Sequence, residues 1–245
     1  MFSVEHVVTV LVTVTSIAVL TLAARWWPGT WTRVAAGALA GLIVGNELGW
    51  LIWVWQAHAF DIRTGLPVFL CDVAAFVAGA ALITRQRFLT EITYFWGIAG
   101  TANGIISPDI PDHFPSYAFI QYFVQHGAIP AASLFLVVGL RIYPRPWAAV
   151  RVLGVTFALV VFDALVNLLT GGNYMFRRSV PPGNNLLDFF GPWPWYLFGG
   201  ALLAVVFVAI LDAPFRIADL SRARSKSEPY PPPASRPSPL PRQGR

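Results

Sequence analysis

Seven apolar stretches, at roughly residues 6–26, 33–56, 66–84, 88–106, 118–141, 148–170 and 193–213, account for most of this chain. Each approaches the roughly 20 residues that an α-helix needs to cross the hydrocarbon of a bilayer. Inside hydrocarbon no water satisfies a free N–H or C=O, so a segment of this length must close its own hydrogen bonds as a helix. The expected fold is therefore an all-α membrane protein, a bundle of about seven transmembrane helices. The residues are 56% hydrophobic and 12% charged, about half the charge of a soluble domain. The formal net charge of +5 does not point to nucleic acid, because the cations lie in short loops and in the tail. Met1 to His6 carries no Lys or Arg, and the first stretch is too long for a signal-peptide core, so it reads as a mature helix. The one cysteine, Cys71, allows neither an internal disulfide nor a cysteine-rich metal site.

Lys and Arg set the orientation of the bundle. Arg25, Arg33, Arg85, Arg87, Arg141, Arg145 and Arg151 fall in loops on one side, joined there by seven basic residues after Pro214. The other side holds Arg63, Arg177 and Arg178. The expected topology is N-terminus outside and C-terminus cytoplasmic, in a multi-pass protein of the cell's plasma membrane. Residues 1–215 form the membrane domain. Residues 216–245, rich in Pro, Ser and Arg, form a basic cytoplasmic tail that cannot bury enough apolar surface to order itself.

The polar residues stranded in the spans gather in the outer half. Asn46 and Glu47 lie near or beyond mid-depth of span two, and Cys71 and Asp72 in the outer turns of span three. Asn103 ends span four and is followed by Ser107-Pro108-Asp109. Gln121, Gln125 and His126 lie in span five, and Asp163 and Asn167 share one face of span six. Ionisable and amide groups at that depth face a bundle interior or a water-filled cavity, and they also serve as hydrogen-bonded glue between helices. Confinement to one side favours a cavity. In span two, Gly37, Gly41, Gly45 and Gly49 form a stripe at i+4 expected to be an internal packing face.

Cys71 and His126 lie at similar depths, and a thiol beside an imidazole is a nucleophile with its base. Pro67 suits a first helical turn, which sets Cys71 about one turn into the helix. Asp163 or Glu47 is the carboxylate expected to orient the ring, as in a triad. Gln125, Asn103 or Asn167 supplies donors for an oxyanion. The alternative for Cys71 is a small packing residue. No cofactor and no metal are expected: His58, His113, His126, Asp109 and Asp112 share the outer side, but no HxxxH or HExxH spacing occurs.

The blocks LPVFLCDVAAF (66–76), EITYFWGIAGTANGIISPDI (91–110), FIQYFVQHG (119–127), GGNYMF (171–176) and GPWPWY (191–196) resemble the YwaF-type bacterial integral membrane proteins. That resemblance extends distantly to a eukaryotic multispanning group implicated in acyl transfer to lysophospholipids. It implies Cys71 as the acyl-accepting nucleophile and His126 as its partner, with Asn173 and Tyr174 of the GGNYMF block near the substrate.

Three functions stay open at this point. One is a Cys71/His126-dependent lipid acyltransferase with Asp163 assisting. Its substrate would lie among Glu47, Asp72, Asn103, Gln121, Gln125, Asn167, Asn173, Tyr174 and Arg177, and Arg177 would meet a lipid phosphate. The second is a small-solute transporter, although no inverted repeat is visible. The third is a non-catalytic scaffold or sensor. The expected partners are membrane lipids, among them an acyl-lipid substrate, and no nucleic acid.

Overall fold

The computed structural model of the protein describes residues 3–108, 110–180 and 189–227. It is all-helical among those residues: α1 (Val4–Trp26), α2 (Trp31–Gln56), α3 (Leu70–Thr84), α4 (Arg87–Phe95), α5 (Asn103–Ile106), α6 (Tyr117–Leu134), α7 (Ala148–Thr170) and α8 (Trp195–Ser227). A π-helical segment, Trp96–Thr101, joins α4 to α5, and a second, Phe135–Gly139, extends α6. Five helical stretches are long and apolar enough to cross a membrane: Val4–Trp26, Trp31–Gln56, Tyr117–Gly139, Ala148–Thr170 and Trp195–Arg222. α3 is shorter, at 15 residues, and the fourth expected span is divided between α4, its π segment and α5.

The helices run alternately up and down between two ends. At the Ser3 end, His6 of α1 meets the carbonyl of Ile105 at 2.7 Å. At the opposite end, here called the Arg85 end, Arg25 donates to the Tyr143 hydroxyl at 3.1 Å. Helices α1, α2, α3, α4 and α6 pack around the core, and α7 and α8 pack on α4 and its π segment from outside. The α2–α3 contact is built from small residues. Ala36, Ala40 and Ile43 of α2 are buried, as are Ala74, Ala75, Ala78 and Ala81 of α3. Without lipid exclusion to drive association, such close backbone approach is what holds membrane helices together.

The glycine stripe of α2 is not that seam. A Cβ placed at Gly37, Gly41 or Gly45 would meet nothing within 4 Å. The packed face is the neighbouring one, running from Ala36 to Glu47, because α3 docks about one residue's rotation around α2.

Two boundaries differ from expectation. Pro67 lies outside α3, and the helix opens at Leu70. Phe69 is extended at the N-cap, and its N–H donates to the Asp72 carboxylate at 3.0 Å. Capping by Asp72 sets the start, so Cys71 occupies the first turn itself. At the other extreme α8 runs through Pro214 to Ser227, into the segment expected to be tail. Arg216 holds this extension by pairing with Asp212 at 3.2 Å and Asp219 at 2.6 Å. It also donates to the carbonyls of Pro144 and Arg145, both at 3.1 Å. Residues 228–245 lie outside the described residues.

Candidate functional site

The polar residues of the Ser3 half form two neighbouring clusters. The first joins α2, α3 and α6. Asn46 donates to the backbone carbonyl of Gln121 at 3.1 Å and to the side chain of Gln125 at 3.0 Å. Gln125 in turn donates to the Glu47 carboxylate at 2.8 Å. Glu47, Gln121 and Gln125 are buried, so this chain of amide bonds ties α2 to α6. Glu47 also lies within electrostatic reach of Cys71 and Asp72, which places the thiol, two carboxyl groups and an amide pair in one neighbourhood. Cys71 is half-buried and free.

His126 approaches from α6. Its Nδ1 lies 2.8 Å from the carbonyl of Tyr122, one turn back, and its ring stacks on Tyr122 with centroids 4.1 Å apart. A carbonyl can only accept, so this bond assigns the Nδ1–H tautomer and leaves Nε2 with a lone pair. Pro130, four residues on, lacks the N–H that would otherwise pair with the His126 carbonyl. The carboxylate expected to orient the ring is thus replaced by a backbone oxygen.

The π segment and α5 receive Leu70 of α3 and His126 of α6. The wider turn of the π segment is closed by the Ala102 N–H on the Gly97 carbonyl at 2.9 Å, and π-turns of this kind recur at functional sites. Gly97, Gly100 and Gly104 present bare backbone to three neighbours. A Cβ at Gly97 would strike the Ser133 hydroxyl, one at Gly100 would lie 2.6 Å from the Leu70 side chain, and one at Gly104 would fall within the His126 ring. Leu70 immediately precedes Cys71, so α3 meets this segment beside Cys71 and α6 meets it about one turn later through His126. No hydrogen bond joins Cys71 to His126 among the described residues.

Gly104→Ala is expected to displace the imidazole and break its bond to Tyr122. Overpacking of this kind costs about 1–3 kcal/mol, seen as a lower unfolding temperature in detergent. The double variant Gly104→Ala/His126→Ala removes the clash and should recover most of that loss. Equal loss in the single and double variants would show that the ring is not the obstacle.

The second cluster lies at the end of α7. Asp163 is fully buried and pairs with Arg177 at 3.5 Å. Asn167 donates to Asp163 at 3.3 Å and exchanges two bonds with the backbone of Tyr174, at 2.7 and 3.0 Å. Tyr174 then reaches across to the segment before α3: its hydroxyl donates to the Ile62 carbonyl at 2.7 Å and accepts from the Leu66 N–H at 3.0 Å. Its ring meets Phe69 edge-on at 5.2 Å. Burial pushes its phenol above the ordinary range. Asp163 therefore faces Arg177 and Asn167, and among the described residues no hydrogen bond or ion pair joins it to His126. Asn173 stabilises its own loop through Ser179 and the Arg178 N–H. Asn103 is exposed and donates to the Ala99 carbonyl at 2.8 Å. Asp109 and Asp188 lie outside the described residues.

An apolar groove of about 690 Å3 runs along α1, α2 and α6 from Glu5 to Ala131. Its α6 wall includes Val124, Gly127 and Ala128, which flank His126. It is long and lipid-like in lining, as an acyl chain requires.

One network escaped sequence reading. Glu91 of α4, 1% exposed, accepts from the side chain and backbone N–H of Arg145 at 2.9 Å and from Arg151 at 2.9 and 3.0 Å. The carboxylate holds the Arg145 guanidinium above its already high range. The signal was present in a carboxylate four residues into an Arg-led span, but its partners lie in a distant loop and in α7.

Among known families, the model of the TMEM164 family matches residues 1–212. No curated protein and no solved structure matches the chain. The chain belongs to the TMEM164 family and is a multi-pass membrane protein. The resemblance to YwaF-type bacterial proteins is thereby corrected, since the matching family is one of eukaryotic transmembrane proteins. Short, aromatic-rich blocks answer to the bilayer as much as to ancestry, and the match along nearly the whole chain decides between the two.

Proposed function

We propose that this member of the TMEM164 family is a thiol-dependent phospholipid acyltransferase, with Cys71 as nucleophile and His126 as base. In this reading the chain crosses the membrane seven times. α3 and the α4–α5 series complete the five longer spans, and the Ser3 end lies outside. Fourteen of the 17 Lys and Arg then fall on the cytoplasmic side, as the positive-inside tendency requires.

The observation that carries the reading is the state of His126. Its Nδ1 is engaged by a backbone carbonyl, so Nε2 keeps the lone pair that takes a proton, and Leu70, the neighbour of the chain's one thiol, packs on Gly100 one turn before the Gly104 that receives the ring. Attack begins as the Cys71 S–H proton passes to Nε2 while the sulfur forms a bond to the ester carbonyl of a phospholipid. The ester C–O bond breaks, and the departing lysolipid oxygen takes the proton back from His126. A lysolipid hydroxyl then attacks the thioester, its proton goes to His126, and the C–S bond breaks to restore the thiol. The burial of the site shields the thioester from water, and the groove beside α6 suits the acyl chain.

The test uses the full chain in lipid nanodiscs with a phospholipid labelled in one acyl chain and an added lysophospholipid. The expected result is label in the acceptor, together with hydroxylamine-labile label on Cys71. Transfer with no label on Cys71, or no transfer at all, overturns the reading. A second reading, a non-catalytic scaffold, is favoured by one observation: the Asn46–Gln125–Glu47 bonds are already complete and leave these residues as helix-to-helix ties.

A further inference from the structure

Arg25, Arg33, Arg85 and Arg141 converge on a cavity of about 550 Å3 at the Arg85 end of the bundle. They come from three separate connections: the end of α1 and start of α2, the end of α3, and the end of the π segment that follows α6. Among the described residues none of the four has a carboxylate within ion-pair distance. Arg145, Arg151 and Arg216, at the same end, do have such partners. Arg25 donates to the Tyr143 hydroxyl, and Arg141 lies 3.5 Å from the Arg25 carbonyl; both acceptors are neutral. Three helix C-termini and one N-terminus border the cavity, which supplies a net charge of only about −1. Four guanidiniums therefore face one space with most of their charge uncompensated.

The backbone is committed to this arrangement. Arg85 and Arg141 are left-handed, with φ of 55° and 60°, a conformation disfavoured for a residue with a β-carbon. Trp26, Trp27, Trp31 and Trp147 are exposed around the same end, as aromatic side chains are at head-group depth. Ala24, Pro28, Leu140 and Ile142 supply the apolar part of the lining.

We infer that this cavity binds the phosphomonoester head of an anionic lipid in the leaflet at the Arg85 end. A phosphomonoester carries up to about two negative charges and three strong acceptor oxygens, and guanidinium forks match it with paired hydrogen bonds. A phosphodiester brings one charge and fewer free oxygens. The tryptophan girdle and apolar lining favour a lipid over a soluble phosphate ester.

The experiment measures binding of phosphatidic acid to the full chain in phosphatidylcholine nanodiscs by native mass spectrometry, with phosphatidylglycerol at matched mole fraction as the phosphodiester comparison. Phosphatidic acid is expected to bind at least about tenfold more tightly, a difference of about 1.4 kcal/mol. The exposed pair Arg33→Gln/Arg141→Gln should abolish that preference, whereas Arg87→Gln, exposed at the same end but outside the cavity, should keep it. Unfolding temperatures of all variants establish that each is folded. Competition by glycerol 3-phosphate separates the two sources of the group. Displacement of the lipid assigns the cavity to soluble phosphate esters and overturns the lipid assignment; persistence of the lipid supports it. Equal binding of the two lipids, or equal loss in Arg87→Gln and the double variant, overturns the site.

Discussion

Cys71→Ala should eliminate both acyl transfer and the acyl-protein intermediate, while His126→Ala should slow transfer by about 10²–10⁴-fold, the usual contribution of a positioned acid–base group. The two substitutions together should cost little more than Cys71→Ala alone, because residues that act in one step are not additive. A structural role predicts a different pattern. Cys71 is half-buried and outside any disulfide, so its loss as a packing residue would lower the unfolding temperature and leave transfer intact. His126→Gln separates position from basicity. The amide fills part of the ring's volume against Gly104 and cannot serve as the base, so stability should stay near wild type while transfer falls. Transfer at the wild-type rate in Cys71→Ala would end the thiol mechanism.

Glu91→Gln should be the most destabilising single change in the molecule. Glu91 is almost fully buried and accepts from Arg145 and Arg151 through both oxygens. An amide of nearly the same size removes the charge, offers one acceptor instead of two, and turns an N–H₂ toward the guanidiniums. Removing one partner of a buried ion pair costs about 3–5 kcal/mol. The partly exposed guanidiniums recover some hydration, so the lower part of that range is expected. The effect would be read as a large fall in unfolding temperature in detergent. Glu91→Gln/Arg151→Gln should be less unstable than Glu91→Gln alone, because it removes one of the stranded cations. If Glu91→Gln unfolds like wild type, the clamp contributes no net stability. The consequence reaches the site, since α4 leads into the π segment and α5, whose Gly100 and Gly104 receive Leu70 and His126.

The helical class was readable because the feature that sets it is local. Runs of apolar residues near the thickness of a bilayer and Arg at their ends identify membrane helices one segment at a time. The collection of Asn46, Glu47, Gln121 and Gln125 at one depth was equally accessible, since depth follows from counting residues along a helix at a fixed rise. Rotation about the helix axis does not follow from counting. The glycine stripe of α2 therefore looked like a seam, whereas the packed face is the alanine row beside it. His126 was expected to lean on a carboxylate, but its own helix supplies the Tyr122 carbonyl, and Asp163 turns to Arg177.

Local sequence was enough to read a bundle of apolar helices with most of its cations at one set of loops and most of its stranded amides toward the other. Which of those polar groups meet was set by how the helices pack. That packing joined Glu91 to two arginines more than fifty residues away and gathered four other arginines around one cavity. It also set the bare glycine backbone of the π segment and α5 against Leu70 and His126. The physical reason is that hydrophobicity and helical rise are properties of each segment alone, whereas a contact between helices depends on the rotation and approach that all of them reach together.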